Sequence, residues 1–222
     1  MLKGTFIPGS APIPPSLDYG FKDLKDPNAY NPERSKQLLA EDGWKDTDGD
    51  GILDKDGKPL TFNFVVYNSR AELPLYAEAV QADLKKSWYR YENQNSLTIT
   101  LIDKMGQEGD YDMLISNIVT ANTGDPIWFL ANYWHTNNNG SNPQNGSGYS
   151  NPQVDQLLDA AQTEFDPAKR RDYAIQIQQL LMNDGAALFL GYPKTNIVTG
   201  SYLKGAVMYP SDYYWITNKI TK

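Results

Sequence analysis

The stretch NPERSKQLLAEDGWKDTDGDGILDKDGKPLTFNFVVY, residues 31–67, sets the architecture of this chain. Asn31 is a favourable N-cap and Pro32 suits the first position of a helix, which Gly43 then ends. Aspartate and glycine dominate residues 46–57, a composition typical of turns. Large apolar side chains then occupy every second position from 60 to 66, which predicts a strand. The order helix, acidic turn, strand indicates an α/β domain.

Further helices are marked by caps and by apolar periodicity. Residues 70–86 place apolar side chains at helical spacing, with Pro74 in the first turn, where proline is tolerated. A short helix is predicted from the Asp-Pro pair at 125–126, and longer ones from Asn-Pro at 151–152 and Asp-Pro at 166–167. Apolar side chains at helical spacing give the first helix an apolar edge, Leu38 and Leu39, and the second an apolar face, Leu73, Tyr76, Ala77, Val80 and Leu84. In the last two helices the side chains predicted to face inward are Val154, Leu157, Leu158, Ala161, Tyr173, Ile177, Leu180 and Leu181.

Strands and irregular segments account for most of the remaining chain. Alternation over residues 109–117 predicts a strand, and residues 187–190 and 195–199 predict two more. Residues 2–30 hold too many prolines for a helix or a central strand, so we expect an irregular segment lying across a larger surface. The residues from 200 onward form a tail rich in aromatic side chains.

Composition excludes some functional classes. The 222 residues carry a formal net charge of −7 and show no basic cluster, which excludes a nucleic-acid-binding surface. No apolar run is long enough to span a bilayer, and no signal peptide is recognisable. Cysteine is absent from the sequence, so neither a disulfide framework nor a thiol site is present.

The acidic turn resembles the first nine positions of a calcium-binding loop. The predicted ligands are four carboxylates and one backbone carbonyl: Asp46, Asp48, Asp50, Asp54 and Ile52. Position twelve is Gly57, so the bidentate glutamate of such loops is missing, and a strand rather than a helix follows. The alternative is an Asp/Gly turn held by its own side-chain-to-backbone hydrogen bonds. We therefore expect no required cofactor, and at most weak binding of Ca²⁺.

Taken in order, these segments resemble the C-terminal lobe of the extracytoplasmic solute-binding proteins of ABC importers, in the group that binds peptides and nickel. The resemblance begins in the Pro-rich FIPGSAPIPPS and the stretch quoted first. It continues through PLYAEAVQADLKK, YDMLIS, GDPIWFL and the block from YSNPQVDQ to LFLGY. It implies the α/β C-terminal lobe of a two-lobed type II (cluster C) periplasmic-binding-protein-like fold, with a mixed sheet flanked by helices. The implied division is an irregular segment at 1–30, a ligand-binding lobe at 31–190, and C-terminal strands at 191–222 that return toward the other lobe.

One segment departs from this pattern. Residues 87–100, SWYRYENQNSLTIT, show no period, whereas the family has Leu-Lys-Lys-Ile-Gly-Ile followed by a basic, alternating strand. Codons can be chosen for this segment such that removing one base near Ser87 gives Ile-Gly-Ile-Asp-Thr-Lys-Ile-Lys-Thr-Val, which alternates as a strand should. Our hypothesis is that residues 87–100 are a frame-shifted version of the family strand. The alternative is a divergent loop.

The resemblance also suggests where a ligand would bind. The segment TANTGD, residues 120–125, lies where a strand ends and a helix begins, and two-lobed receptors bind ligands in a cleft at such strand ends. Peptide-binding relatives carry there a tryptophan and an aspartate that holds the peptide α-amino group. The matching positions here are near Ile118 and Asn122, so the charged anchor is absent, as are the Trp and Tyr of nickel-binding relatives. The candidate ligand-binding residues are Thr120, Asn122, Trp128, Trp134 and His135. For the two tryptophans the alternative is packing in the core. For His135 the alternative is an exposed position after a helix.

The leading functional expectation is a binding module without enzymatic activity. It would capture a small extracellular ligand, an oligopeptide or dipeptide, and deliver it to an ABC permease. Its partners would be that permease and an N-terminal lobe absent here, and we expect a monomeric, extracytoplasmic protein, either a cell-surface lipoprotein or periplasmic. The alternatives are a nickel or metal-chelate receptor of the same family, a calcium-stabilised adhesion or glycan-binding module, and a hydrolase.

Overall fold

The computed structural model describes residues 4–67, 69–85, 90–93, 111–121, 124–208 and 217–222. Its helices are α1 (Pro32–Glu41), α2 (Glu72–Lys85), α3 (Ile127–Trp134), α4 (Pro152–Thr163) and α5 (Pro167–Asn183). Its strands are β1 (Phe6–Pro8), β2 (Asp54–Lys55), β3 (Lys58–Pro59), β4 (Thr61–Val65), β5 (Arg90–Asn93), β6 (Met113–Leu114) and β7 (Gly191–Pro193). The chain divides into two compact units: Asn28–Ile118, and Leu2–Pro27 together with Val119–Lys222.

The unit at Asn28–Ile118 is built on a parallel sheet in the order β5-β4-β6. Thr61 pairs with Arg90 and Phe64 with Met113, so the predicted strand, helix, strand unit is confirmed for β4, α2 and β5. Phe64 and Val65 point to opposite faces, yet only 4% and 0% of their surfaces are exposed. The central strand is therefore covered on both faces at this end, as parallel sheets require. The antiparallel pairs of the described chain, β2 with β3 and β1 with β7, lie in separate sheets.

Helix α1 begins and ends where the sequence predicts. The Asn31 side chain accepts a hydrogen bond from Arg34 N, and Gly43 has a φ of +93°. Trp44 N donates to Leu39 O and Gly43 N donates to Ala40 O, which is the Schellman arrangement. The apolar edge of Leu38 and Leu39 is not buried, since α1 buries no residue and Leu38 is 49% exposed. Capping therefore fixes this helix more than packing does.

The second unit has a helical core. Helices α3, α4 and α5 pack together, and the side chains of Asn151 and Asp166 cap α4 and α5 as predicted. Its fully buried helical residues come from all three helices: Leu130, Val154, Leu158, Ala161, Ala174, Ile177, Gln178 and Leu181. Leu157, Tyr173 and Leu180, which were predicted to face inward, are only half-buried.

The irregular N-terminal segment is part of this helical unit. Ala11 and Ile13 are each 1% exposed, and Ile13 N donates to the buried Gln178 Oε1 at 3.1 Å. Strand β1 pairs with β7, with Ile7 opposite Tyr192. The predicted strands at 187–190 and 195–199 are wrong, since the pairing with β1 places the strand between them.

Some predictions fall partly or wholly outside the described residues. Residues 87–89 and 94–100 are among these, so the frame-shift hypothesis stays a prediction. The domain boundaries at 30 and 190 also stay predictions. Within the described part of the chain, no helix has the length and apolar character needed to cross a membrane.

Candidate ligand-binding site

Polar side chains cluster just beyond the carboxyl ends of the parallel strands. Strand β4 ends at Val65 and the buried Tyr67 follows it, while Asn117 follows β6. Asn117 N donates to the Tyr67 hydroxyl at 3.0 Å, and Asn117 Nδ2 donates to Glu72 Oε1 at 2.7 Å. Because Glu72 lies in the first turn of α2, two strands and one helix fix this carboxylate. Ligands of open α/β sheets bind at this edge.

Tyr67, Glu72 and Asn117 were not predicted as site residues from the sequence. The available signal was positional, because Tyr67 and Asn117 come directly after two predicted strands. The hydrogen bonds that join them span 45 and 50 residues of sequence. These contacts depend on the order of the strands in the sheet, which no local pattern specifies.

The predicted ligand-binding turn leads into α3. Thr120 is half-buried and Ala121 is buried, whereas Asn122 lies outside the described residues. Asp125 Oδ1 accepts a hydrogen bond from Ile127 N at 2.9 Å, and Pro126 is the N-cap residue rather than the first helical residue. The turn therefore fixes the start of α3.

An ion pair holds Asp125 in place. The Arg170 guanidinium bonds the Asp125 carboxylate and also donates to Ala161 O at 2.6 Å and Glu164 O at 2.8 Å. Only 19% of the Arg170 side chain is exposed. Burial, together with the negative charge of Asp125, raises the pKa of the Tyr19 hydroxyl above its usual value. Asp125 is thus engaged within its own unit, and we do not assign it as the anchor for a ligand amine.

The two candidate tryptophans have different environments. Trp128 is 50% exposed on the first turn of α3, whereas Trp134 is 6% exposed. The Trp134 ring meets the Phe129 ring edge-on, with centroids 4.9 Å apart, and lies 6.4 Å from the Phe189 ring. Trp134 is therefore a core residue of its unit, and any contact of Trp134 with a ligand stays a prediction.

His135, the only histidine, lies between two carboxylates. Its Nε2 is 3.3 Å from Asp159 Oδ1 and its Nδ1 is 3.7 Å from Asp155 Oδ1, and 29% of its side chain is exposed. Asp155 also accepts a hydrogen bond from Thr136 N at 2.8 Å. The two aspartates are four residues apart on α4, a spacing that places them on one helix face. That spacing was visible in the sequence, but the contact with His135 was not.

The acidic loop has the geometry of a self-bonded turn. Asp46 accepts hydrogen bonds from Gly49 N and Gly51 N, and Asp50 accepts one from Ile52 N at 2.8 Å. These bonds are the ones expected from the Asp/Gly-turn alternative. Carboxylate oxygens of Asp46, Asp48 and Asp50 also lie within 4.8 Å of one another. Asp54 accepts instead from Thr47 N at 3.3 Å.

Comparison with known proteins identifies the family. The family described as "Bacterial extracellular solute-binding proteins, family 5 Middle" matches residues 1–141, more than half of the chain. The chain belongs to the family 5 extracellular solute-binding proteins. The predicted fold class, the α/β lobe of a type II periplasmic-binding-protein-like protein, is thereby confirmed. The family consists of extracytoplasmic solute-binding proteins.

Individual relatives include peptide-binding and nickel-binding proteins. The oligopeptide-binding protein AppA of Bacillus subtilis is 30% identical over 212 residues, which are 92% of this chain and 36% of the relative. The solved structure of AppA in complex with a nonapeptide superposes with a TM-score of 0.76 at 26% identity, over 99% of this chain and 43% of that one. The nickel-binding protein NikA of Staphylococcus aureus is 22% identical over 225 residues, 99% of this chain and 41% of the relative. The chain therefore spans less than half the length of these relatives.

Proposed function

We propose that this chain is the ligand-binding lobe of a receptor that captures an oligopeptide or dipeptide outside the cytoplasm and delivers it to an ABC permease. The observation that carries the proposal is the 30% identity to an oligopeptide-binding protein across 92% of the chain. The order and type of the elements agree with it, since the family lobe is α/β with its ligand at the carboxyl ends of the strands.

The candidate site suits a peptide in its chemistry. Peptide ligands present backbone N–H groups and an ammonium group, both of which are hydrogen-bond donors. The edge formed by Tyr67, Glu72 and Asn117 offers a carboxylate and an amide, and the net charge of the chain is −7. Separately, in the helical unit, the half-exposed Trp128 offers an aromatic face on which apolar side chains can pack.

Nickel is the second candidate ligand, because the chain is also similar to a nickel-binding protein. Nickel favours imidazole nitrogen, and this chain has one histidine. Both ring nitrogens of His135 already face aspartates of α4. Among the described residues, the single cluster of potential ligands consists of aspartates, which suit harder cations. We therefore favour the peptide.

We propose that the protein has no catalytic activity, acts as a monomer, and is anchored as a lipoprotein or free in the periplasm. Its partners are a permease and a second lobe that completes the cleft. Support comes from the family, whose members are solute-binding proteins, and from the fraction of the relatives that this chain covers.

A binding comparison tests the class of ligand. The chain is titrated in a calorimeter with a nonapeptide, with a set of dipeptides, and with nickel in the presence of histidine. We expect weak heat from peptides and none from the nickel complex, because one lobe supplies part of a cleft. Binding of the nickel complex without binding of peptides would overturn the peptide proposal. Tight one-to-one peptide binding would contradict the proposal that this lobe supplies only part of the cleft.

We also propose that Ca²⁺ binds only weakly at the loop formed by Asp46, Asp48, Asp50, Ile52 and Asp54. Three carboxylates converge there, but they already accept backbone hydrogen bonds and no glutamate follows at Gly57. We expect millimolar calcium to raise the melting temperature by no more than about 1 °C. A larger shift that EDTA reverses and that Asp48→Asn abolishes would contradict this proposal.

A further inference from the structure

The loop between α3 and α4 contains the same tripeptide twice. Asn139-Gly140-Ser141 and Asn145-Gly146-Ser147 are both Asn-Gly-Ser, and these are the two Asn-Gly pairs of the chain. Asparagine followed by glycine is prone to deamidation, because glycine has no side chain to hinder its backbone nitrogen. Asparagine is accordingly counted among the thermolabile residues. With equal local sequences, any difference in reactivity between the two sites must come from the fold.

The structure leaves the first site free to react. Asn139 and Gly140, with φ of +53° and +84°, form the centre of a turn that Ser141 N closes on Asn138 O at 3.1 Å. Asn139 is exposed, and an added Cβ on Gly140 would meet no atom within 4 Å. Within the described part of the chain, neither the Asn139 side chain nor Gly140 N takes part in a hydrogen bond.

At the second site, hydrogen bonds hold both reacting groups, the side-chain amide of Asn145 and the backbone nitrogen of Gly146. Asn145 is 4% exposed, and its Nδ2 donates to His135 O at 3.0 Å and to Tyr149 O at 2.8 Å. Its Oδ1 accepts a hydrogen bond from Ser147 Oγ at 3.0 Å. Gly146 N, the nucleophile, donates to Gln144 O at 2.9 Å. Reaction at Asn145 therefore requires this network to open first.

We propose that Asn139 is a site of spontaneous deamidation in the folded protein and that the fold protects Asn145. Gly140 N attacks Asn139 Cγ, the Cγ–Nδ2 bond breaks, and ammonia leaves with the proton from Gly140 N. Water then opens the resulting succinimide. Opening at the side-chain carbonyl gives aspartate, and opening at the main-chain carbonyl gives isoaspartate. The product carries a new carboxylate at the loop tip, while the Asn145 hydrogen bonds stay intact.

Peptide mapping by mass spectrometry tests this directly. The folded 222-residue chain is incubated in mildly alkaline buffer, and aspartate and isoaspartate are quantified at both positions over time. A parallel sample in denaturant gives the intrinsic rates, which we expect to be similar. In the folded chain we expect Asn139 to react at least about tenfold faster than Asn145. Comparable folded rates, or faster reaction at Asn145, would overturn the proposal.

Two matched variants test whether hydrogen bonds, rather than the local sequence, determine the rate of deamidation. Ser147→Ala removes the donor to Asn145 Oδ1, whereas Ser141→Ala makes the same local change beside Asn139, whose side chain Ser141 does not bond. We expect Ser147→Ala to raise the Asn145 rate several-fold in the folded chain and Ser141→Ala to leave the Asn139 rate within about twofold. An unchanged Asn145 rate in Ser147→Ala would contradict protection by this network.

Discussion

Arg170 and Asp125, 45 residues apart in the chain, form an ion pair that joins the first turn of α5 to the turn before α3. The same guanidinium bonds two carbonyls at the end of α4, so Arg170 connects three helices. Arg171 is its neighbour in sequence, but its partners Asp18 and Asp23 are exposed. The two arginines therefore form a natural comparison between a half-buried and a surface ion pair.

We expect Arg170→Gln to lower the free energy of unfolding by about 2 kcal/mol, because it leaves two part-buried carbonyls and a carboxylate without their donor. Arg171→Gln should cost less than about 0.5 kcal/mol, since surface ion pairs contribute little. Urea denaturation of both variants gives the comparison. Equal costs for the two substitutions would contradict the assigned role of Arg170.

Gln178 and Gln179 form a second matched pair. Gln178 is fully buried and bonds both Ile13 N and Tyr19 O, whereas the bonds from Gln179 to Lys25 are exposed. Gln178→Leu should cost about 2–3 kcal/mol, because an N–H and a C=O of the N-terminal segment lose their partners. Gln179→Leu should cost less than about 1 kcal/mol. If Gln178→Leu is neutral in urea denaturation, the N-terminal segment does not depend on this anchor.

Substituting the two tryptophans of α3 should affect different properties, stability for Trp134 and peptide binding for Trp128. Trp134→Ala removes a buried ring and should cost about 3–5 kcal/mol. Trp128→Ala should change stability by less than about 0.5 kcal/mol, yet weaken peptide binding measured by calorimetry. If the Trp128→Ala protein binds peptide as tightly as the parent does, Trp128 does not contribute to peptide binding.

Tyr149 should make the protein sensitive to alkali. Burial, followed by the hydrogen bond to the Asp184 carboxylate, raises the pKa of its hydroxyl above the usual 10.0. The folded state then keeps a proton that the unfolded chain loses, so this stabilisation is complete below pH 10.0 and declines as the pH rises above it.

We expect Tyr149→Phe to be less stable than the parent at neutral pH, with the difference shrinking at alkaline pH. Urea denaturation across this range measures it. Tyr202→Phe is the control, because Tyr202 is 64% exposed, and its profile should run parallel to that of the parent. A gap between Tyr149→Phe and the parent that stays constant above pH 10.0 would contradict the assignment.

Sequence reasoning succeeded where the determinants are local. The caps at Asn31, Asn151 and Asp166 were predicted because each depends on a side chain and a backbone N–H two or three residues away. The Asp/Gly turn was likewise given as an alternative from adjacent residues. The resemblance then supplied the fold class, which the family match confirms.

Long-range contacts were beyond the reach of such patterns. Strand β7 exists because β1 pairs with it from the other end of the chain, so the strands predicted at 187–190 and 195–199 were wrong. The exposure of Leu38 could not be read from the apolar edge of α1, because periodicity records which face is apolar and not whether another element covers it. The partners of His135 and Asp125 depend on how α4 and α5 pack, which requires the tertiary fold.

The most direct test of the proposed receptor lobe is to map peptide binding by amide chemical shifts. The chain is labelled with ¹⁵N and titrated with a nonapeptide to millimolar concentration. We predict weak, saturable shifts centred on Tyr67, Glu72 and Asn117. Shifts confined to other surfaces, such as the acidic loop at 46–54, would contradict a ligand site at the carboxyl ends of the strands.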